Sequence, residues 1–236
     1  KSAYKSNYGD NYKDSLNQAL TSAGYKNLSE YRQKMIKQIQ YANFLLDYID
    51  DHFDDVFNDY YQQCAPKYVS LIKISVSDTS SPTDDETSKL NEVKELISNT
   101  DKSFGDIAQD YSNDSTSSKK GSLGIVDSKD TSGIANSYGK DVFNAIEALS
   151  EGQVSDVITG DNGYYFVKVT STDKKTLKKE LKKTDIDSPL LAYDDYLQYV
   201  VYNSYKINYK DKDIKKIVQE VVNKALEERK TERGEA

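Results

Sequence analysis

Apolar positions recur every three to four residues at the start of the chain, and this spacing predicts helices. Leu16 and Leu20 lie on one face of a helix predicted over residues 12–22. Ser29 is expected to be the N-cap of a second, long helix, because a serine hydroxyl can accept one of the N–H groups that a helix start leaves unbonded. Residues 1–65 are therefore predicted to be a helical zone.

The pattern changes after Pro66, where closely spaced apolar residues predict a strand over residues 68–76, with Leu71 out of phase. Two amphipathic helices are predicted next, the second over residues 104–111. Residues 112–124 are rich in Ser, Lys and Gly, so we expect them to lie outside any core.

A short helix and two strands close this middle zone. The helix is predicted over residues 143–149, and the strands over residues 154–159 and 164–170. The sequence Gly160-Asp161-Asn162-Gly163 between the strands is typical of a hairpin turn. This order predicts an α+β unit with an antiparallel sheet over residues 66–172.

The remaining residues, 173–236, return to helical spacing. One helix is predicted over residues 190–205, and another over residues 211–229 with a long apolar stripe. Neither this segment nor residues 1–65 is long enough to bury a large core alone. We therefore predict that the two pack together as one all-α lobe, with the α+β unit inserted between them.

Composition excludes several classes of function. The net charge is -7 and no basic stripe interrupts it, which argues against nucleic acid as a partner. Cys64 and His52 are the only residues of their types, so neither a disulfide within the chain nor a zinc cluster can form. No metal site, phosphate-binding loop or other cofactor motif is found, and no apolar run reaches the length of a membrane span.

Aromatic content is concentrated in 20 tyrosines, with no tryptophan. Tyrosine rings suit adaptable peptide binding because they offer contact area at low entropy cost. Biased codon usage that fills helix faces with Tyr explains the same excess, and the sequence does not decide between the two.

Four sequence blocks in the middle zone resemble parvulin-type peptidyl-prolyl isomerases, in the family's order and at its spacing. They are Phe-Gly-Asp-Ile-Ala-Gln-Asp-Tyr-Ser-Asn-Asp at 104–114, Gly-Ser-Leu-Gly at 121–124, Glu-Ala-Leu-Ser-Glu-Gly-Gln-Val-Ser-Asp at 147–156 and Gly-Tyr-Tyr-Phe-Val-Lys-Val at 163–169. More loosely, the flanking helices resemble the chaperone lobe of PrsA/SurA-type foldases, on residues 8–16, 23–25, 31–39 and 206–213.

The parvulin resemblance implies a catalytic site at Asp114, Ser122, Tyr165 and Leu71, with three departures from the family pattern. Leu71 and Tyr165 stand where parvulins have histidines, and Ser122 replaces an aspartate. Asp114 matches the family's acidic or cysteine position, and a turn carboxylate is an equal interpretation of it. Leu71 cannot hydrogen-bond and Tyr165 can do so at one point, so we expect weak or absent isomerisation.

The resemblance also implies an apolar pocket for the substrate proline. Its expected members are Val142, Phe143, Tyr138 and Leu123.

For the whole protein, the resemblance implies an extracytoplasmic foldase that acts on unfolded secreted polypeptides without a cofactor. It further implies a lipoprotein on the outer face of the cytoplasmic membrane, whose signal peptide and lipid anchor lie outside this fragment, and it admits a homodimer through the helical lobe. Two alternatives stay open. One is an active isomerase with a site rearranged around Asp114, Tyr165 and Ser122, and the other is a surface interaction protein without clients.

Overall fold

A computed structural model describes residues 2–99, 101–181, 188–193 and 195–232, and the chain divides into two compact units, Lys1–Asp51 and His52–Ala236. The helices are α1 (Ser2–Tyr8), α2 (Tyr12–Ser22), α3 (Leu28–Asp51), α4 (Phe53–Cys64), α5 (Asp84–Asn99), α6 (Phe104–Tyr111), α7 (Ile134–Tyr138), α8 (Lys140–Ala148), α9 (Lys174–Leu181), α10 (Pro189–Ala192), α11 (Asp195–Ser204) and α12 (Lys212–Glu232). The strands are β1 (Lys67–Ser75), β2 (Ser122–Val126), β3 (Ile158–Gly160) and β4 (Gly163–Ser171).

The first unit contains α1, α2 and α3, and it confirms the predicted helix α2. The predicted N-cap of α3 is wrong. Asn27, not Ser29, accepts the Glu30 N–H at 2.9 Å, while the Glu30 carboxylate accepts the Lys26 N–H at 2.6 Å. These two bonds satisfy one donor in the first turn and one just before the helix, so α3 begins at Leu28, before Ser29.

The second unit is built around a four-stranded antiparallel sheet in the order β2-β1-β4-β3, which confirms the predicted α+β class. Strand β1 lies inside the sheet and is buried on both faces. Leu71 is not out of phase, because it shares one face with Val69 while Ile72 and Ile74 occupy the other. The continuous apolar run of β1 therefore arises because its alternate residues enter two different cores.

Helices α7 and α8 cover one face of the sheet, and helices α5 and α6 cover the other. The first core includes Val69, Leu71, Val126, Ile134, Val142, Ile146, Tyr165 and Val167. The second includes Ile72, Ile74, Leu90, Val93, Phe104, Ile107, Ala108 and Phe166.

The Ser/Lys/Gly-rich segment 112–124 contributes no buried member to either core, but it forms regular structure within the unit. It contains a 3-10 turn at Ser115–Lys119 and the start of β2. Gly121 joins the two, and the Leu71 N–H donates to its carbonyl at 2.8 Å. A Cβ at position 121 would lie 2.4 Å from the Leu71 carbonyl oxygen, so only glycine lets the backbones approach this closely.

The rest of the unit has one helix that the pattern did not predict and two boundaries that differ from prediction. The helix is α7, which forms because the Asp130 carboxylate accepts the N–H groups of Ile134 and Ala135 at its start. Helix α8 begins at Lys140 instead of residue 143. The strand predicted over 154–159 is shortened to β3. At Ser155 the side-chain hydroxyl accepts the Val167 N–H of β4, at 3.0 Å, so a side chain replaces a strand carbonyl as the acceptor there.

The hairpin turn over residues 160–163 is confirmed, with Gly160 and Gly163 paired at the ends of β3 and β4.

Helix α4 packs against α10, α11 and α12 within the second unit. The helix predicted over 190–205 is broken between α10 and α11, where the Tyr193 side chain is buried and its hydroxyl donates to the Asp59 carboxylate of α4 at 2.5 Å. Arg229 of α12 makes a buried ion pair with the same carboxylate. The division into three domains at residues 65 and 172 stays a prediction.

A second buried carboxylate joins α4 to the sheet. Asp127, which follows β2, is fully buried and accepts the Tyr60 hydroxyl at 2.6 Å. Its other oxygen accepts the N–H groups of Lys129 at 3.0 Å and Thr131 at 3.3 Å. Burial and the Asp127 charge both raise the pKa of Tyr60, so the phenol stays protonated and remains a donor.

We predict that Tyr60→Phe lowers the free energy of unfolding by about 2 kcal/mol, because it leaves a buried carboxylate short of one donor. Urea unfolding followed by circular dichroism measures the change. Tyr205→Phe, at an exposed ring of the same type, is the matched control and should change little. Equal stability of the Tyr60→Phe variant and the parent would contradict the importance of this bond.

Candidate functional site

Six of the eight residues predicted for the site come together on the face of the sheet covered by α7 and α8. Three are buried there: Leu71 from β1, Tyr165 from β4 and Val142 from α8. The other three pack against them and are half-buried: Leu123, Tyr138 and Phe143. These six residues are called the site cluster below.

Asp114 lies beside the site cluster and also stabilises a turn, so both interpretations of this carboxylate have a structural counterpart. One of its oxygens accepts the N–H and the hydroxyl of Thr116 at 2.9 and 2.7 Å. The hydroxyl of Tyr138 lies 3.4 Å from that same oxygen, which is a long hydrogen bond. Asp114 thus contacts the site cluster through Tyr138.

Two tyrosines meet in the site cluster. The rings of Tyr138 and Tyr165 lie edge to face, with centroids 6.2 Å apart. The Tyr165 hydroxyl donates to the Asn162 side chain at 2.9 Å, and the Lys73 ammonium lies 5.6 Å from the Tyr165 ring centroid. A pocket of about 410 Å3 opens beside these rings, between the α7–α8 connection and the β3–β4 hairpin.

Sequence reasoning missed Asn162 and Lys73. Asn162 was assigned only to the hairpin turn, although it is three residues from Tyr165. Lys73 stands directly opposite Tyr165 in the sheet register, two residues after Leu71, and strand pairing alone would have identified it.

Ser122 does not join the site cluster. Its hydroxyl donates to the Tyr68 hydroxyl at 2.9 Å, and its backbone pairs with Ser70, whose side chain is on the α5–α6 face. Successive residues of a strand point to opposite faces, so Leu123 reaches the site cluster and Ser122 faces away from it.

The chemistry that this arrangement offers is apolar contact and hydrogen bonding by phenols. Burial, with the charge of Asp114 and the hydrogen bond to it, raises the pKa of Tyr138 to about 12. Tyr138 is therefore a neutral donor at physiological pH, and the Leu71 side chain offers no polar atom. The site cluster can hold an apolar ring beside two phenols, but the imidazole pair of the parvulin pattern is absent from positions 71 and 165.

Comparison with known proteins agrees with this geometry. A family model described as "Rotamase: PPIC-type PPIASE domain" matches residues 71–171, a range that contains all eight predicted site residues. The foldase protein PrsA of Staphylococcus epidermidis is 32% identical over 141 residues, which are 57% of this chain and 41% of that protein. Residues 71–171 are therefore similar to PPIC-type parvulin domains, and the chain is similar to PrsA foldases over 57% of its length.

Other relatives have similar coverage. The foldase protein PrsA of Staphylococcus aureus strain bovine RF122 is also 32% identical, over 57% of this chain and 41% of its own length. The matched segment thus spans about two fifths of the curated relatives. The crystal structure of PrsA from Bacillus subtilis matches 90% of this chain and 75% of that chain, with 22% identity and a TM-score of 0.43.

The ranges that the structure describes contain no group of three or more His, Cys, Asp or Glu side chains placed to hold a metal ion. None of the helices in these ranges combines the length and apolarity needed to cross a membrane.

We predict that the Tyr138 phenol titrates near its raised pKa of about 12, and that Asp114→Asn lowers this pKa without restoring the ordinary value of 10.0, because burial remains. The folded-state pKa is raised, so the phenol's contribution to stability is present below pH 10.0 and is lost as the pH rises towards 12. The measurement is the ζ-carbon NMR shift of labelled tyrosine, assigned by comparison with Tyr138→Phe. An unchanged pKa in Asp114→Asn would contradict the Asp114–Tyr138 contact.

Proposed function

We propose that this protein is an extracytoplasmic foldase whose parvulin domain binds prolyl segments of unfolded secreted polypeptides and isomerises them weakly or not at all. The proposal is supported by the PPIC-type domain over residues 71–171 and by curated relatives that carry the name foldase protein PrsA. No cofactor is required, because isomerisation of a peptide bond makes and breaks no covalent bond.

The proposal rests mainly on the residues at positions 71 and 165, which are Leu and Tyr. Rotation about a prolyl bond faces a barrier of roughly 18–20 kcal/mol, and a catalyst must favour the twisted amide over both planar forms. Leu71 is fully buried and apolar, and the one hydroxyl of Tyr165 is already bonded to Asn162. The site cluster therefore retains a slot for a proline ring and lacks much of the polar network around it.

An active isomerase is the second candidate, and a specific observation favours it. The rings of Tyr138 and Tyr165 meet beside the pocket of about 410 Å3, and the Tyr138 hydroxyl contacts Asp114 behind it. Positioning in an apolar slot also supplies part of any rate enhancement. In this alternative the rearranged site consists of those three residues, because Ser122 faces away.

Binding of unfolded clients is proposed for the C-terminal helices. Ile214, Ile217 and Val221 form a stripe along α12 and are each more than half exposed. A groove of about 460 Å3 lies between α11 and α12, with Tyr199 and Tyr202 on one side and Ile217, Val218, Val221, Val222, Ala225 and Leu226 on the other. Exposed apolar surface with aromatic rings suits weak contact with apolar segments of many sequences.

A location outside the cytoplasm is part of the proposal, and it rests on the similarity to PrsA foldases. We propose that the full-length protein is a lipoprotein at the outer face of the cytoplasmic membrane, where secreted polypeptides emerge unfolded. A homodimer through the helical segments stays a prediction, and a surface interaction protein without clients is the remaining alternative.

We predict that the chain isomerises a proline tetrapeptide at no more than a few per cent of the rate of a parvulin with both histidines. The double variant Leu71→His with Tyr165→His should raise the rate several-fold, because both positions belong to the core cluster that supports the pocket. A protease-coupled peptide assay measures the rates.

The matched control is Leu71→Asn with Tyr165→Asn, which places polar groups at both positions without imidazoles and should show no gain. Thermal melting checks that both double variants are folded. A parental rate equal to that of an intact family member would overturn the proposal and favour the active isomerase.

We predict that the double variant Ile217→Ser with Val221→Ser loses at least half of the ability to slow aggregation of an unfolded client, because it removes exposed apolar surface from α12. Light scattering of a reduced, aggregating client is the measurement. Tyr138→Ala, in the site cluster, is the comparison and should retain most of the effect. The opposite ranking would assign client binding to the parvulin domain.

A further inference from the structure

A second pocket lies on the face of the sheet opposite the site cluster, beyond the part that α5 and α6 cover. It has a volume of about 330 Å3 and is called the lysine pocket here. Its lining comes from three adjacent strands, from the turn before β2 and from the start of α6.

Ser70 gives this pocket a polar group whose role is otherwise unexplained. The residue is 7% exposed and lines the lysine pocket, and its hydroxyl makes no hydrogen bond within the described ranges. Ser122 and Thr170 differ, because their hydroxyls donate to Tyr68 at 2.9 and 2.8 Å. The Ser70 hydroxyl opens onto the pocket and can donate to a ligand that carries an acceptor atom.

Positive charge surrounds this hydroxyl. Lys168 pairs with Ser70 in the sheet register, which places their side chains next to each other on one face. Neither Lys168 nor Lys119 makes an ion pair within the part of the chain that the structure describes. Lys120 is already engaged, since its ammonium lies 2.7 Å from the Asp106 carboxylate.

The start of α6 adds to the positive electrostatic potential in the lysine pocket. Phe104 and Gly105, the first two residues of this eight-residue helix, border the lysine pocket. A helix N-terminus carries partial positive charge and presents N–H groups to anions. Asp106 in that turn opposes this charge, but Lys120 neutralises it.

We propose that the lysine pocket binds a phosphate group. Phosphate fits better than a carboxylate because it offers more acceptor oxygens and up to two negative charges, which match two unpaired ammonium groups and a hydroxyl donor. The site is a recess between strands and a helix, so the group is carried by a phosphate ester that can enter it and not by the flat surface of a lipid bilayer. This site is independent of the prolyl site, because the two lie on opposite faces of β1.

The test is an amide NMR titration of the full chain with inorganic phosphate, at constant ionic strength set with chloride. We expect saturable shifts at Gly105 and Ser122, and the same residues should respond to glycerol 1-phosphate. Lys168→Gln should weaken binding about tenfold and Ser70→Ala about threefold, as expected for a charged and a neutral hydrogen bond. The matched controls, Lys179→Gln and Ser75→Ala, change an exposed lysine and an exposed serine outside the pocket and should leave affinity unchanged.

Several results would overturn the assignment. Shifts that do not saturate, equal affinity for acetate, or equal losses in the control variants would each show that the lysine pocket does not select phosphate. Binding to phosphatidylglycerol vesicles without binding to inorganic phosphate or glycerol 1-phosphate would show a membrane surface instead. Retention of phosphate binding in the Leu71→His and Tyr165→His double variant would confirm that the two sites are independent, and its loss would contradict this.

Discussion

Burial of β1 on both faces and pairing along both edges is the constraint on which the second unit depends. Because side chains alternate along a strand, Val69 and Leu71 are committed to the α7–α8 side, while Ser70 and Ile72 are committed to the α5–α6 side. A shift of one residue would exchange the two sets and place Ser70 in an apolar core. The strand therefore determines which residues can contribute to the site cluster and which to the lysine pocket.

The start of β1 is fixed as firmly as its centre. The Lys67 ammonium donates to the carbonyls of Ile146, Glu147 and Leu149, at 2.9, 2.6 and 3.1 Å. These carbonyls lie at the C-terminal end of α8, where a helix leaves acceptors unbonded and carries partial negative charge. A lysine on the strand thus completes the end of the helix that carries Val142, which couples the position of the site cluster to the register of the sheet.

Sequence patterns predicted the fold class, α2, α6 and the hairpin, because each depends on local spacing or turn chemistry. They failed where distant residues decide the local structure. Strand β2 has no apolar alternation of its own and is defined by its pairing with β1. The break between α10 and α11 depends on Tyr193 reaching Asp59, a contact across 134 residues that periodicity cannot show.

In the candidate site, too, local sequence predicted some features and distant contacts decided others. Family spacing brought six of eight residues to one cluster, since blocks that keep their order also keep their places in a fold. Ser122 was misplaced because a matching motif does not say which face of a strand a residue occupies. Asn162 and Lys73 were missed because their roles depend on the strand pairing that brings them to Tyr165. The lysine pocket was missed because three strands and a helix start contribute to it.

The buried position of Cys64, the single thiol, makes it a probe of local opening. Cys64 ends α4 and is fully buried, and its carbonyl accepts the Ser128 N–H at 2.9 Å, next to the turn that Asp127 organises. A thiol reagent can reach the sulfur only when this junction opens. The rate at which Cys64 is labelled therefore reports the opening frequency of one defined junction, and a cysteine introduced at the surface would react first and carry a probe without removal of the native one.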